Sequence, residues 1–253
     1  MKKETVIKRY RAGQLTEIKG YVAEEKTFAV VINGETRFSV SLSPEDLEAF
    51  ATGMLVTSGL IASPGDIESI AIQRGPHRKN GNRIDVRLRV EIDTCPLLLA
   101  SGCGSGGTPE RSHPDLFLPA MTEPFIPDGE TLPQLYQTFS RRSEVFQETG
   151  GVHSAAISDG ESILFFAEDI GRHNAVDKVV GKAIRQPVAL RAGSYILLTS
   201  GRISGEIIRK VSHAGLRAIV SRSAPTCAAI VSARQAGITL IGFLRGTSFN
   251  IYI

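Results

Sequence analysis

Five kinds of side chain in this chain could carry chemistry, and they are unevenly spread. The densest set lies between Glu168 and Gly181, where Glu168, Asp169, Gly171, Arg172, His173, Asn174 and Asp177 follow one another within a few residues. An apolar run of strand length, Ile163 to Ala167, precedes them. Ala175, Val176, Val179, Val180, Ala183 and Ile184 follow with the stripe of a helix lying on a sheet. The polar cluster therefore falls at the carboxyl end of a strand and the amino end of a helix. Open α/β sheets keep their ligands there, because free N–H groups and the positive end of the helix dipole meet. A capped helix with surface charges would give the same spacing.

A second candidate is a thiol. Cys103 stands between Gly102 and Gly104 in ASGCGSGGTPE, inside a stretch from Ala100 to about Pro133 where periodicity gives way to glycine and proline. A cysteine so placed is accessible, as nucleophilic thiol chemistry requires, although an incidental loop cysteine would look alike. The same glycines are a poor phosphate loop, since no Lys-Ser/Thr follows them. Cys227, near the start of a helix after Pro225, reads as a small residue packed on the sheet, and Cys95 has no visible partner. His153 reads as a hydrogen-bonded core histidine, whereas His173 belongs to the central cluster.

The elements that position these groups follow from periodicity. Thr27–Ile32 and Glu35–Leu42 are predicted strands around an Asn33-Gly34 turn. A helix follows, with Ser43 as N-cap, Pro44 at its first position and an apolar face of Leu47, Phe50, Ala51, Met54 and Leu55. Strands over Ile67–Ile72 and Ile84–Ile92 complete a small α+β unit spanning residues 1–99. Residues 100–133 form a linker and loop. In the remaining part, 134–253, Leu132–Glu148 reads as one helix with Leu135, Tyr136, Phe139 and Phe146 inward, stopped at Gly150-Gly151. A hairpin around Asp159-Gly160 follows, and strand then alternates with helix: Tyr195–Thr199, Ser204–Ala214, Arg217–Ser221, Pro225–Ala236, Thr239–Phe243. That alternation predicts an α/β fold with a mostly parallel sheet.

The carboxyl ends of those strands must share one edge, and each is followed by an arginine: Arg172, Arg202, Arg222 and Arg245. Arginine offers phosphate a planar bidentate fork that stays charged. Beside Ser200, Gly201 and Gly246 they predict an anionic ligand such as a nucleotide or a pyrophosphate-containing cofactor.

Composition sets the frame. With 42% hydrophobic and 22% charged residues in 253, the chain reads as folded and globular, and its apolar runs are too short to span a bilayer, so no membrane association is expected. Three cysteines and no apolar leader after Met1 predict a cytoplasmic protein. A net charge of +3 gives no argument for nucleic acid.

The blocks GGVHSAA (150–156), EDIGRHNAVDKVVG (168–181), TSGRISGE (199–206), SRSAPT (221–226) and GFLRGTSFNIY (242–252) resemble, in order and spacing, the formate dehydrogenase accessory sulfurtransferases known as the FdhD family. The resemblance implies a cytidine-deaminase-like three-layer α/β sandwich and a homodimer. It implies a carrier that takes persulfide sulfur from a cysteine desulfurase and passes it to the molybdenum bis(molybdopterin guanine dinucleotide) cofactor before that cofactor enters formate dehydrogenase, with GDP as a partial mimic. Cys103 would carry the sulfur, and Phe243, Leu244, Arg245, Gly246, Thr247 and Ser248 would contact the cofactor. Two positions depart from the family's pattern. Gly106 replaces the second cysteine of a Cys-x-x-Cys, which removes any resolving partner within the loop, and Ser248 stands where an arginine often ends the binding segment. A cofactor chaperone without thiol chemistry remains the alternative.

The deaminase-like fold also raises a zinc hydrolase, which fails on ligands. His173-Asn174-Ala175 lacks the glutamate of His-x-Glu, and Ser200-Gly201-Arg202-Ile203 lacks the cysteines of Pro-Cys-x-x-Cys, so no zinc is expected.

Overall fold

A computed structural model describes residues 1–75, 81–92, 98–99, 109–110, 125–186 and 188–252. The larger sheet has six strands in the order β10-β9-β11-β12-β13-β14. They are β9 (His153–Ser158), β10 (Ile163–Asp169), β11 (Ile196–Thr199), β12 (Ala218–Ser221), β13 (Thr239–Arg245) and β14 (Ser248–Tyr252). β11, β12 and β13 are parallel neighbours, and β10 points the same way because β9, antiparallel to both, lies between it and β11. The carboxyl ends of β10, β11, β12 and β13 therefore share an edge, which the amino end of β9 joins.

Alternation across the pleat builds two cores from the same strands. Ala155, Ile157, Leu197, Ile219 and Leu240 face helices α4 (Arg172–Ile184), α5 (Gly205–Ala214) and α6 (Cys227–Ala236). Ala156, Ile196, Leu198, Val220 and Ile241 face Leu135, Tyr136 and Phe139 of α2 (Leu132–Arg141). This is a three-layer α/β sandwich. Short caps fix the helix starts: Ser204 Oγ accepts from Ile207 N at 3.4 Å, and Thr226 Oγ1 accepts from Ala229 N at 3.2 Å.

The predicted hairpin around Asn33-Gly34 is β3 (Lys26–Ile32) and β4 (Glu35–Leu42), both turn residues taking positive φ. With β5 (Ile67–Gln73) and β6 (Arg83–Leu88) they form a sheet of order β4-β3-β6-β5 that packs on α1 (Leu47–Thr57). The last predicted strand is thus shorter than Ile84–Ile92. A two-residue pair, β7 (Leu98–Leu99) with β8 (Pro109–Glu110), follows.

The amino-terminal unit is not free-standing. α1 crosses α4 so closely that a Cβ on Gly53 would stand 1.8 Å from Asp177 O, and one on Gly181 would stand 1.8 Å from Ala49 O. Beside this contact Asp177, wholly buried, takes Lys210 Nζ at 2.7 Å and Thr57 Oγ1 at 2.5 Å. Asp169 pairs with Lys178 at 2.6 Å and accepts from Ser43 N at 3.0 Å. Burial pushes the Asp169 carboxyl up, while Lys178 draws it back down.

Four expectations need correction. Ser43 is not an N-cap; α1 starts at Leu47 behind Asp46, because the Ser43 main chain and hydroxyl serve Asp169, Lys178 and Ile170 instead. Leu132–Glu148 is two helices, α2 and α3 (Glu144–Thr149), parted where Ser143 turns inward to Glu168 and Ser154. Phe146, expected inward, is 46% exposed as a result. Cys227 is exposed at the first position of α6 and is not packed on the sheet. Finally, residues 2–23, for which no strand was predicted, form a long antiparallel ribbon of β1 (Lys2–Arg11) and β2 (Gln14–Ala23).

Candidate functional site

The sheet edge takes shape at the turn after β10. Asp169 Oδ1 accepts from Gly171 N at 2.8 Å and from Asn174 Nδ2 at 2.9 Å, and Asn174 also donates to Ser41 O at 3.0 Å. These bonds hold the chain extended at Gly171 and start α4 at Arg172. Gly171 and Asn174, both predicted as binding residues, are thereby occupied in shaping the turn. Asp177 lies one helical turn further in, paired with Lys210 and shut off from solvent, so it cannot meet a ligand at the edge. Helical spacing put it near the cluster but could not show that it faces α1 and α5.

Arg172 and the amino end of α5 close the first half of the edge. Gly201 lets Arg172 lie across it, since a Cβ there would stand 3.0 Å from Arg172 Cβ and 3.6 Å from His153 Nδ1. Arg172 Nε is buried with no hydrogen-bond partner among the described residues, as expected of a donor kept for a ligand. His173 Nε2 lies 3.1 Å from Glu206 Oε2, and this contact holds the Glu206 carboxyl below the usual range against the opposing effect of burial. Ser200 Oγ accepts from Ser154 N at 3.0 Å and stands 3.4 Å from His153 Nδ1.

His153, read from the sequence as a hydrogen-bonded core histidine, is half-buried and stands at this edge beside Ser200. It starts β9, and because β9 is antiparallel its first residue sits where its neighbours end. Burial, followed by the charges of Arg172, His173 and Arg202, pushes its pKa down. It is a neutral imidazole among cations. The signal was available in the hairpin itself, which places the start of one strand beside the end of the next.

The second half of the edge is built around Tyr136. Its buried hydroxyl donates to Thr199 O at 2.8 Å and accepts from Arg222 N at 3.0 Å, tying the ends of β11 and β12 together. Burial raises this phenol to about 12, so it stays protonated. β13 then bends: the register shifts between Gly242 and Arg245, Phe243 takes φ 54°, and its N–H donates to Ser223 O at 3.2 Å. A left-handed phenylalanine costs about 1–2 kcal/mol and is held there by its surroundings. The bend sets the Arg245 guanidinium 5.9 Å from the centroid of the Phe243 ring. Arg222, Leu244, Arg245, Gly246 and Thr247 then line, with Tyr136, a cavity of about 450 Å³. Ser248 is exposed just past this turn, at the start of β14.

The predicted arginines thus share an edge but fall into two groups. Arg172 lies with Ser200, Gly201 and His153, whose ring also feels the charge of Arg202, while Arg222 and Arg245 stand at the cavity. Arg202, Arg222 and Arg245 are exposed. Such an arrangement can bind two separated anionic groups. A larger cavity of about 780 Å³, bounded by Asp46, Arg74, Phe165 and Arg185, opens between α1 and β5, away from this edge. Cys103, the predicted nucleophile, and Cys95 lie outside the described residues.

The FdhD/NarQ family pattern matches residues 23–253. The sulfur carrier protein FdhD of Bacillus pumilus is 34% identical, over 100% of this chain and 95% of its own. That of Listeria innocua is 32% identical, over 97% of this chain and 94% of its own. A solved structure from Desulfotalea psychrophila, described as a formate dehydrogenase accessory protein, superposes with a TM-score of 0.74 at 23% identity, over 100% of this chain and 96% of that one.

Proposed function

Because the chain belongs to the FdhD/NarQ family, we propose that it is a sulfur carrier required for formate dehydrogenase activity, as its relatives' names describe them. Persulfide sulfur comes from a cysteine desulfurase and goes to the molybdenum bis(molybdopterin guanine dinucleotide) cofactor, the cargo, before insertion into formate dehydrogenase. The observation that carries this reading is the sheet edge with two groups of arginines and a cavity of about 450 Å³. A cofactor with two guanine dinucleotide arms presents separated phosphates that such an edge fits.

Each part of the edge has a task in this reading. Arg222 and Arg245 hold the phosphates of one arm, Tyr136 keeps the strand ends at their spacing, and Gly246 and Thr247 let the main chain approach the ligand. Arg172, with a buried donor to spare, and Arg202 take a second anionic group. Phe243 presents a ring for stacking, being 38% exposed. His173-Asn174-Ala175 and Ser200-Gly201-Arg202-Ile203 offer an imidazole and an arginine where a zinc hydrolase needs a carboxylate and thiolates, which favours anion capture over base hydrolysis.

The sulfur step asks little of the protein. The Cys103 thiolate attacks the outer sulfur of the donor persulfide, a new S–S bond forms, and the donor cysteine leaves as its thiolate with no net oxidation. One thiol suffices, so Gly106 in place of a second loop cysteine is compatible with carriage. The carrier works as a homodimer.

Purified chain supplied with desulfurase and cysteine is expected to restore activity to formate dehydrogenase made without the carrier, and Cys103→Ala is expected not to. Equal restoration by Cys103→Ala would favour the second reading, a cofactor chaperone in which the arginine edge does all the work.

A further inference from the structure

The ribbon of β1 and β2 is the part of the fold that the site does not explain. Ten consecutive pairs run from Lys2↔Ala23 to Arg11↔Gln14, closed by Ala12 and Gly13 at φ 50° and 83°. Its base is anchored, by the Met1 amine on Glu45, by Lys2 on Glu148, and by Glu24 N donating to Met1 O at 2.7 Å. Beyond the base both faces meet solvent: Val6 is 67%, Tyr10 72% and Leu15 64% exposed on one face, and Arg9 and Arg11 are exposed on the other. A two-stranded ribbon alone is marginal in water, and both of its outer edges carry unpaired main-chain groups.

Its charge and its faces say what would cover it. Residues 2–23 hold six cations and two carboxylates, a net +4, against +3 for the whole chain, so everything else amounts to −1. By the register, one face carries Val6, Tyr10 and Leu15 together with both carboxylates, and these are matched by lysines: Lys19 to Glu4 at 3.2 Å and Lys8 to Glu17 at 3.9 Å. The other face carries Lys3, Arg9 and Arg11 and none of the ribbon's carboxylates. We propose that this ribbon is a docking arm for a carboxylate-rich, partly apolar protein surface on the enzyme that receives the sulfurated cargo, formate dehydrogenase. The proposal rests on the carrier reading for the partner's identity. A ribbon-to-ribbon contact with a second copy is opposed by +4 on each side, and a nucleic acid would leave the apolar face uncovered.

The test is binding of the full chain to purified apo formate dehydrogenase by surface plasmon resonance at two salt concentrations. Lys3→Glu/Arg9→Glu/Arg11→Glu takes the ribbon from +4 to −2 (4 − 6) and is expected to weaken binding at least tenfold and to reverse its salt dependence. Tyr10→Ser/Leu15→Ser is expected to weaken it severalfold, with sulfur uptake from the desulfurase unchanged in both variants. Unchanged binding in both variants, absence of binding by the parent chain, or a loss confined to the desulfurase or to duplex DNA would overturn the proposal. Ribbon-dependent binding by a chain that never gains sulfur would instead refute the carrier reading and leave the arm standing.

Discussion

At the scale of single residues, the edge makes separable predictions. Arg245→Ala removes a guanidinium from the cavity rim and Arg202→Ala one from the other group. Each charge-assisted contact contributes about 1.5–3 kcal/mol, so GDP affinity measured by calorimetry is expected to fall about ten- to a hundredfold for whichever arginine meets the nucleotide. Affinity unchanged in both would move the ligand off this edge. His153 supplies a pH test. Its pKa is pushed below the ordinary 6.5, chiefly by burial, so between 6.5 and the depressed value the unfolded chain binds a proton that the folded chain does not. Stability must therefore rise as pH rises through that window and be lost as pH drops below it, and His153→Asn is expected to flatten this slope in urea titrations at stepped pH. The arginines were legible because each follows a strand in the sequence. His153 was read as a core histidine because its place at the edge follows only once the hairpin is used to set which way β9 runs. Asp177 misled for a related reason: its spacing from Arg172 places it on the helix, but only packing shows that it turns towards Lys210.

At the scale of elements, the site depends on the crossing of α1 and α4. Gly53→Ala and Gly181→Ala each force a methyl against a carbonyl 1.8 Å away, and overpacking of this kind costs about 1–3 kcal/mol or more. Urea unfolding is expected to show at least that loss. A cost below about 0.5 kcal/mol would mean that the helices separate freely and that the amino-terminal unit is independent of the site. Lys178→Met leaves Asp169 buried without its cation, and breaking a buried pair costs about 3–5 kcal/mol, so GDP binding is expected to weaken along with stability as the Asp169 turn loosens. The strands and helices from Ile163 to β13 were readable since their apolar periods are regular, whereas β14 was not read as a strand. The start of α1 was misread because Ser43-Pro44 carries a capping signature while its hydroxyl and main chain are used by residues 126 and more positions away. The ribbon escaped notice for the opposite reason. With both faces exposed it shows no alternation, and Ala12-Gly13 lacks the asparagine or aspartate that marks a two-residue turn.

For the whole molecule, the fold explains how a carrier with a small core per layer holds a rigid edge. Two sheets clamp α1, α4 and α5 between them, with buried ion pairs at the seam. The homodimer is expected to appear in sedimentation at micromolar concentration, and a monomer there would remove that part of the account while leaving the edge intact. No helix among the described residues is long and apolar enough to cross a membrane. The central claim is that sulfur rides on Cys103, and it can be read directly by mass. The chain is incubated with a cysteine desulfurase and cysteine, then digested without reductant, and the peptide carrying Cys103 is weighed. A gain of one sulfur on that peptide, absent from Cys103→Ala and retained in Cys227→Ala, is the predicted result; an unmodified Cys103 peptide, or sulfur found on Cys227 alone, would contradict it.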